Sequence, residues 1–240
     1  AAYGATVTAP EGTSSRYTFN QLGLLLSVTD EAGLTVYYDR DDAGHVSAIR
    51  YPDGSRESFT YDSQGQIVTH TDRAGTTMFY TYDQSGNLTA VKYGNGETVT
   101  QTFDSRGNLV SITENGQKTT MTYDGSDNLT AIHSPDGSVV SYTYDAQGRR
   151  TSVSDGVYTT GYQYDSQGRV AAVTDGSSPL VTYTYDSDGR LSRQQNANGT
   201  YTQYSYSGDQ LASIVHYDAA GAVLSSYAYT YDSQGHVTSL

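Results

Sequence analysis

The sequence has no cysteine and no tryptophan, and only 4 prolines and 2 methionines among its 240 residues. Without cysteine there are no disulfide staples and no thiolate metal ligands, although this leaves the compartment open. Four prolines are too few for an extended proline-rich stalk. Basic residues are also scarce. Thirteen Lys and Arg against 26 Asp and Glu give a net charge of −13. Nucleic acid, heparin-like polyanions and anionic membrane surfaces all require a basic face, so none of them is expected as a partner. The longest aliphatic run, Leu24-Leu25-Leu26, is far short of the roughly 18 apolar residues of a membrane span, and no membrane insertion is expected. The opening Ala1-Ala2-Tyr3-Gly4 has neither the basic nor the apolar segment of a secretion signal and reads as a mature end or a fragment boundary.

A conventional core is missing as well. Hydrophobic residues make up 35% of the chain, and that figure counts 24 tyrosines, each with a hydroxyl that needs a partner. Low hydrophobicity with net charge is also a signature of disorder. Here the abundance of strand formers (Tyr, Thr, Val) and turn formers (Gly, Asp, Asn), placed with strict regularity, outweighs it.

That regularity is a repeat. One phrase recurs: aromatic, any residue, Tyr, Asp, two polar residues, Gly, a polar residue, an aliphatic. Tyr80-Thr81-Tyr82-Asp83-Gln84-Ser85-Gly86-Asn87-Leu88 is a clear copy, and Tyr183 to Leu191 is another. Copies centre on Tyr61, Tyr82, Phe103, Tyr123, Tyr144, Tyr164, Tyr185, Tyr206 and Tyr231, with degenerate ones at Phe19 and Arg40. Successive centres lie 20 or 21 residues apart, except for a final interval of 25. About eleven units fill residues 17–240 after a lead-in over 1–16, so the chain reads as one array.

Each unit carries two turn signals. The first follows Tyr-Asp and ends on a glycine, at Gly65, Gly86, Gly107, Gly148, Gly168, Gly189 and Gly235. Asp at the first position and Gly at the fourth are type I turn preferences. The second lies half a period on, at Asp53-Gly54, Asn95-Gly96, Asn115-Gly116, Asp136-Gly137, Asp155-Gly156 and Asp175-Gly176. These dipeptides predict two-residue type I′ hairpins. Two turns per period leave two strands of about six residues, so the predicted fold is all-β, an antiparallel meander of roughly 22 strands. At about 4.8 Å per strand such a sheet is about 105 Å wide and is expected to coil into a hollow wall.

The aromatic positions should form a ladder: Phe19, Tyr61, Tyr82, Phe103, Tyr123, Tyr144, Tyr164, Tyr185, Tyr206 and Tyr231. A second is expected through Tyr80, Tyr142, Tyr162, Tyr183 and Tyr204. Cross-strand pairs contribute about 0.2–1 kcal/mol each, and summed along the array they replace a core. After the Tyr-Asp turn the aliphatics stand three apart, as in Leu88/Val91 and Leu129/Ile132. Either a bulge brings each pair to one face, or both faces are partly covered; the spacing allows both.

The unit Tyr-Thr-Tyr-Asp-x-x-Gly-Arg/Asn-Leu-x-x-Val, at this period over 17–240, resembles the YD (RHS) repeat. That family includes bacterial RHS and wall-associated proteins, the C and B subunits of toxin complexes, and teneurins. The resemblance implies a spiralling β-sheet that builds a shell, around a toxic polypeptide in some members and at the cell surface in others. Toxin members close the shell with an Asp-Pro-x-Gly motif beside a self-cleavage site. Here Pro10, Pro52, Pro135 and Pro179 all follow a residue other than Asp, so that processing is not carried over.

No catalytic or metal site emerges, and no cofactor is expected. Asp39, Asp41 and Asp42 form the densest acidic cluster, but the calcium β-roll spacing is missing and turn capping explains each Asp. His45, His70, His133, His216 and His236 fall in different units with no zinc-binding spacing; His45 and His236 occupy the slot after the turn glycine and should be exposed. Arg149, Arg169 and Arg190 occupy the same slot and should pair with a turn aspartate. No serine-nucleophile elbow occurs. Tyrosine faces also bind sugars by stacking, so a glycan remains a candidate ligand.

The expected function is therefore structural and non-catalytic: a wall segment of a secreted or cell-surface bacterial β-shell. Alternatives are a carbohydrate-binding adhesin module or a fragment of a toxin-encapsulating shell. The halt at Val237-Thr238-Ser239-Leu240, mid-unit, predicts either a longer array or self-association through open sheet edges, with Thr6–Ala9 or Tyr17–Phe19 as the opposite edge.

Overall fold

The structure is a computed structural model and describes residues 2–10 and 12–239. Ala1 and Leu240, named above at the two ends, lie outside the described residues. Every regular element among the described residues is a β-strand, and none is a helix. The chain forms two compact units, residues 1–119 and 120–240. In the first, each strand pairs antiparallel with the next in sequence, from Tyr3–Thr8 through Leu109–Glu114. In the second the same holds through Val223–Ala228, after which Thr230–Tyr231 and Val237–Ser239 form a two-stranded hairpin. The fold is the all-β antiparallel meander of hairpin repeats that the sequence predicts.

One repeat explains the others. Strand Thr77–Tyr82 enters the turn Asp83–Gly86, where the Gly86 N–H donates to the Asp83 carbonyl at 3.1 Å and the Asp83 N–H to the Asn87 carbonyl at 3.0 Å. Gly86 has φ 86°. A type I turn closed by a positive-φ glycine is the three-residue hairpin loop, and a residue with a Cβ is strained there. Register then slips by one: Thr81 faces Ala90 but Tyr82 faces Leu88, leaving Thr89 as a bulge. The bulge returns Leu88 and Val91, opposite Tyr82 and Tyr80, to the tyrosine face. The same slip follows Phe19, Arg40, Tyr61, Phe103, Tyr123, Tyr144, Tyr164, Tyr185, Tyr206 and Tyr231. The three-residue spacing of the aliphatics is thus a bulge in every repeat.

The second turns correct the sequence reading. At Asp53-Gly54, Asn95-Gly96 and Asp136-Gly137 only the glycine has positive φ, at 83°, 93° and 87°, so these turns repeat the type I plus bulge geometry. The reason is local. With Asp or Asn in the right-handed region, its Oδ1 accepts the N–H two residues on, from Ser55, Glu97 and Ser138 at 2.9–3.0 Å, and no Cβ strain arises. Asn115-Gly116 is the type I′ pair, with φ 49° and 78°. Asp175 instead ends its strand opposite Ser178, and Gly176, φ 55°, opens a two-residue turn as type II′ geometry prefers. At Asp155-Gly156 the Asp155 N–H donates to the Tyr158 carbonyl at 3.2 Å, one residue nearer than in the Tyr-Asp turns, and Gly156 has φ 89°.

The two faces differ. One carries the tyrosines and aliphatics. The other carries facing hydroxyls: Thr18 to Ser27, Thr60 to Thr69 and Thr102 to Ser111 at 2.6 Å, and Thr143 to Ser152 at 2.7 Å. No large side chain is fully buried among the described residues; the buried hydrophobic positions are Ala48 and Ala172. Stability must therefore come from contacts between neighbouring strands rather than from a common interior.

Candidate functional site: a tyrosine–aspartate clamp between hairpins

The Tyr-Asp pair joins each hairpin to the one before it. The aspartate organises its own turn: Asp83 Oδ1 accepts the N–H groups of Ser85 and Asn87, both at 2.9 Å. Its second oxygen accepts the side chain after the turn glycine, Asn87 Nδ2 at 3.0 Å. Arginine fills that slot in later repeats, with Arg149 Nε on Asp145, Arg169 Nε on Asp165 and Arg190 Nε on Asp186 at 2.7–2.8 Å. Histidine fills it elsewhere, through Nδ1 of His45 on Asp41 at 3.1 Å and of His236 on Asp232 at 3.0 Å. These hydrogen bonds hold the carboxyls below the usual aspartate range. The Asn87 side chain does so for Asp83, the Asn108 backbone N–H for Asp104, the Arg190 guanidinium for Asp186 and the His236 backbone N–H for Asp232.

The tyrosine reaches backward. Tyr82 Oη donates to the Ile67 carbonyl at 2.9 Å, and Ile67 stands opposite Tyr61 beside Val68, the bulged residue of the preceding repeat. Tyr61 donates likewise to Val46, Tyr144 to Leu129, Tyr164 to Arg150, Tyr185 to Val170, Tyr206 to Leu191 and Tyr231 to Leu211, all at 2.7–2.9 Å. A bulge disrupts the ladder locally, and the hydroxyl supplies a donor there. The ring serves too. The cationic side chain of the preceding turn covers it, with Arg149 over Tyr164, Arg169 over Tyr185 and Arg190 over Tyr206 at 4.1–4.6 Å. His45 lies over Tyr61 at 4.6 Å. Burial pushes the Tyr61 and Tyr82 hydroxyls above their ordinary range.

Arg40 shows what the position requires. It replaces the tyrosine, and its Nε and Nη2 both donate to the Leu25 carbonyl, at 3.0 and 2.9 Å. Phe103 has no hydroxyl to offer Leu88, 15 residues before it. We expect Phe103→Tyr to add this bond and raise stability by about 1 kcal/mol in denaturant unfolding; an unchanged midpoint would show the hydroxyl to be dispensable. Phe19 packs its ring on Tyr3 at 5.6 Å instead. Tyr123 stands opposite Leu129 across its bulge. Gly65, Gly86, Gly107, Gly148, Gly168, Gly189 and Gly235 all close these turns with positive φ, between 77° and 88°.

The remaining chemistry-bearing residues disperse. Asp39 pairs with Arg50 at 2.7 Å while Asp41 serves its turn. His70 stacks on Phe59 and meets Glu57 at 3.2 Å; His216 meets Thr202 Oγ1 at 2.9 Å. No three His, Asp or Glu side chains converge as metal ligands among the described residues. The backward reach of the tyrosine was not read from the sequence, though a 15-residue offset to an aliphatic, shared by Tyr61, Tyr82, Tyr144, Tyr185 and Tyr206, was there to be found.

The sequence profile of the teneurin YD-shell family matches residues 55–240. The chain belongs to the YD-shell family. Its fold is also that of solved toxin-complex proteins. The crystal structure of TcdB2-TccC3-TEV superposes with TM-score 0.62 at 16% identity, over 94% of this chain and 15% of that one. TcdB2-TccC3 without its hypervariable C-terminal region gives 0.55 at 13% identity, over 98% and 16%. A Photorhabdus luminescens Tc holotoxin pore gives 0.53 at 16%, over 94% and 15%. The YD-shell chain thus spans about one-sixth of the length of these structures. No curated protein matches it in sequence. At such identities the likeness is one of fold.

Proposed function

We propose that this YD-shell chain is a non-catalytic wall segment of a secreted or cell-surface bacterial β-shell. The clamp carries the reading: the same tyrosine, aspartate and glycine that define each repeat are spent on holding one hairpin to the next. In this reading the ladder tyrosines and turn glycines are structural residues, and residues 17–240 act as one array after the lead-in. The family match and the toxin-complex folds support a shell. Neighbouring arginines cover the rings of Tyr164, Tyr185 and Tyr206, which favours a structural role for these three over sugar stacking.

Sheet edges supply the partner surface. Strand Tyr3–Thr8 pairs with Ser14–Phe19 alone, and Val223–Ala228 pairs with Gln210–Tyr217 alone, among the described residues. Both are largely exposed. Unpaired strand edges recruit further strands, so either more of the same array or a second copy completes them. Electron microscopy of the purified chain over a concentration series tests this. Tubes or fibres that lengthen with concentration are the outcome expected of self-association. Discrete particles at every concentration would end the polymer reading and leave a segment of a larger shell.

A further inference from the structure

An asparagine followed by glycine is open to succinimide chemistry, because glycine has no Cβ to shield its amide nitrogen. Three such pairs occur in the chain: Asn95-Gly96, Asn115-Gly116 and Asn198-Gly199. All three asparagines are exposed. By sequence the three are alike; the fold separates them.

At two of them both reacting groups are engaged. The Gly96 N–H donates to the Tyr93 carbonyl at 2.9 Å, and the Gly199 N–H to the Asn196 carbonyl at 3.0 Å. The side-chain amides are tied as well. Asn95 Oδ1 accepts the Glu97 N–H at 3.0 Å, while its Nδ2 donates to Glu97 Oε2 at 2.9 Å. Asn198 Oδ1 accepts the Thr200 N–H at 3.1 Å and the Thr200 hydroxyl at 2.7 Å. Before the glycine nitrogen can attack the side-chain carbonyl carbon, its own hydrogen bond must break and the amide must leave its cap. Both steps add to the barrier.

Asn115-Gly116 differs because it is the type I′ pair, with both residues at positive φ. Its glycine does not close a type I loop. Among the described residues neither the Gly116 N–H nor the Asn115 side chain makes a hydrogen bond, and both residues are exposed. The nucleophile and the group it attacks are therefore adjacent and unrestrained.

We propose that Asn115 is a self-modification site of the folded chain. The Gly116 nitrogen attacks Asn115 Cγ and gives up its proton. Nδ2 leaves with a proton as ammonia, and the cyclic succinimide closes. Water then opens either imide carbonyl. Opening at the side-chain carbon gives aspartate; opening at the backbone carbon gives isoaspartate, whose chain runs through the side chain and gains a methylene. Water is the co-reactant and no electron is transferred. Either product adds one negative charge to the −13 of the chain. Isoaspartate also lengthens a two-residue loop whose length sets the hairpin register, so it is the product that loosens the turn. The site does not depend on whether the chain polymerises.

The test is peptide mapping by mass spectrometry of the full chain after incubation in neutral buffer. Labelling with an isoaspartyl methyltransferase separates the two products. In the folded chain Asn115 should convert at least about tenfold faster than Asn95 and Asn198. In urea, where the hydrogen bonds are gone, the three rates should converge. No conversion at Asn115, comparable rates at all three sites in the folded chain, fastest conversion at Asn95 or Asn198, or an equal preference for Asn115 in urea would each overturn the proposal.

Discussion

Replacing Tyr82 with alanine should destabilise the chain by about 2–3 kcal/mol, a large share of the 5–15 kcal/mol that folded domains possess. Two losses combine. The half-buried ring leaves Leu88, which stands opposite it, without its main cover. The hydroxyl bond to the Ile67 carbonyl, 2.9 Å long, disappears as well. Tyr82→Phe separates the two, because it keeps the ring and should cost only about 1 kcal/mol. In an array held by nearest neighbours, the damage should also be local. Amide exchange should accelerate in Ile67–Thr71 and Thr77–Tyr82 well before strands several repeats away. Urea unfolding and exchange mass spectrometry read both effects. Equal costs for the alanine and phenylalanine variants would show that the ring contributes little; uniform exchange along the chain would remove nearest-neighbour coupling from the account.

Acid should unfold the array progressively. The folded-state pKa values of Asp83, Asp104, Asp186 and Asp232 are lowered by hydrogen bonds that the unfolded chain lacks. For a carboxyl lowered on folding, the unfolded state binds the proton more tightly. The stabilisation is therefore complete above the ordinary aspartate value of about 4, and is lost as pH falls through the lower folded values. Each contribution is small because these groups face solvent, but the same aspartate recurs in nearly every turn, and distant sites add. The melting temperature should be flat near neutrality and fall steeply below about pH 4. Asp186→Asn should lessen that fall. A melting temperature unchanged between pH 5 and 3 would mean the turns do not depend on charged aspartates. Tyr61 and Tyr82 act in the opposite sense. Burial raises their hydroxyl pKa values, so their contribution is complete below about pH 10 and lost as pH rises through the higher folded values.

Much of this was written in single positions of the sequence. Asp83 and Gly86 announce a turn by their chemistry alone, and the 20- or 21-residue period sets the number of strands and their antiparallel order. Short-range rules suffice there because a hairpin pairs residues that are close in sequence. Those rules failed at Asp53-Gly54 and Asn95-Gly96, where the dipeptide suits a type I′ turn. Capping of the N–H two residues on by the Asp or Asn side chain selects the type I form instead.

The sequence by itself determined the all-β meander, the place of every turn after a Tyr-Asp pair and the family, because each rests on a residue's own backbone preference repeated at a constant interval. The tertiary structure alone decided three things. It placed a bulge at Thr89 and its counterparts, so that aliphatics three apart share the tyrosine face. It aimed the hydroxyls of Tyr61, Tyr82, Tyr144, Tyr164, Tyr185, Tyr206 and Tyr231 at a carbonyl of the previous repeat, 15 residues back in the case of Tyr82. And it left Arg193 Nε buried with no hydrogen-bond partner among the described residues. Each of these depends on which residue faces which across two strands, and a change of one residue in register sends every side chain to the other face.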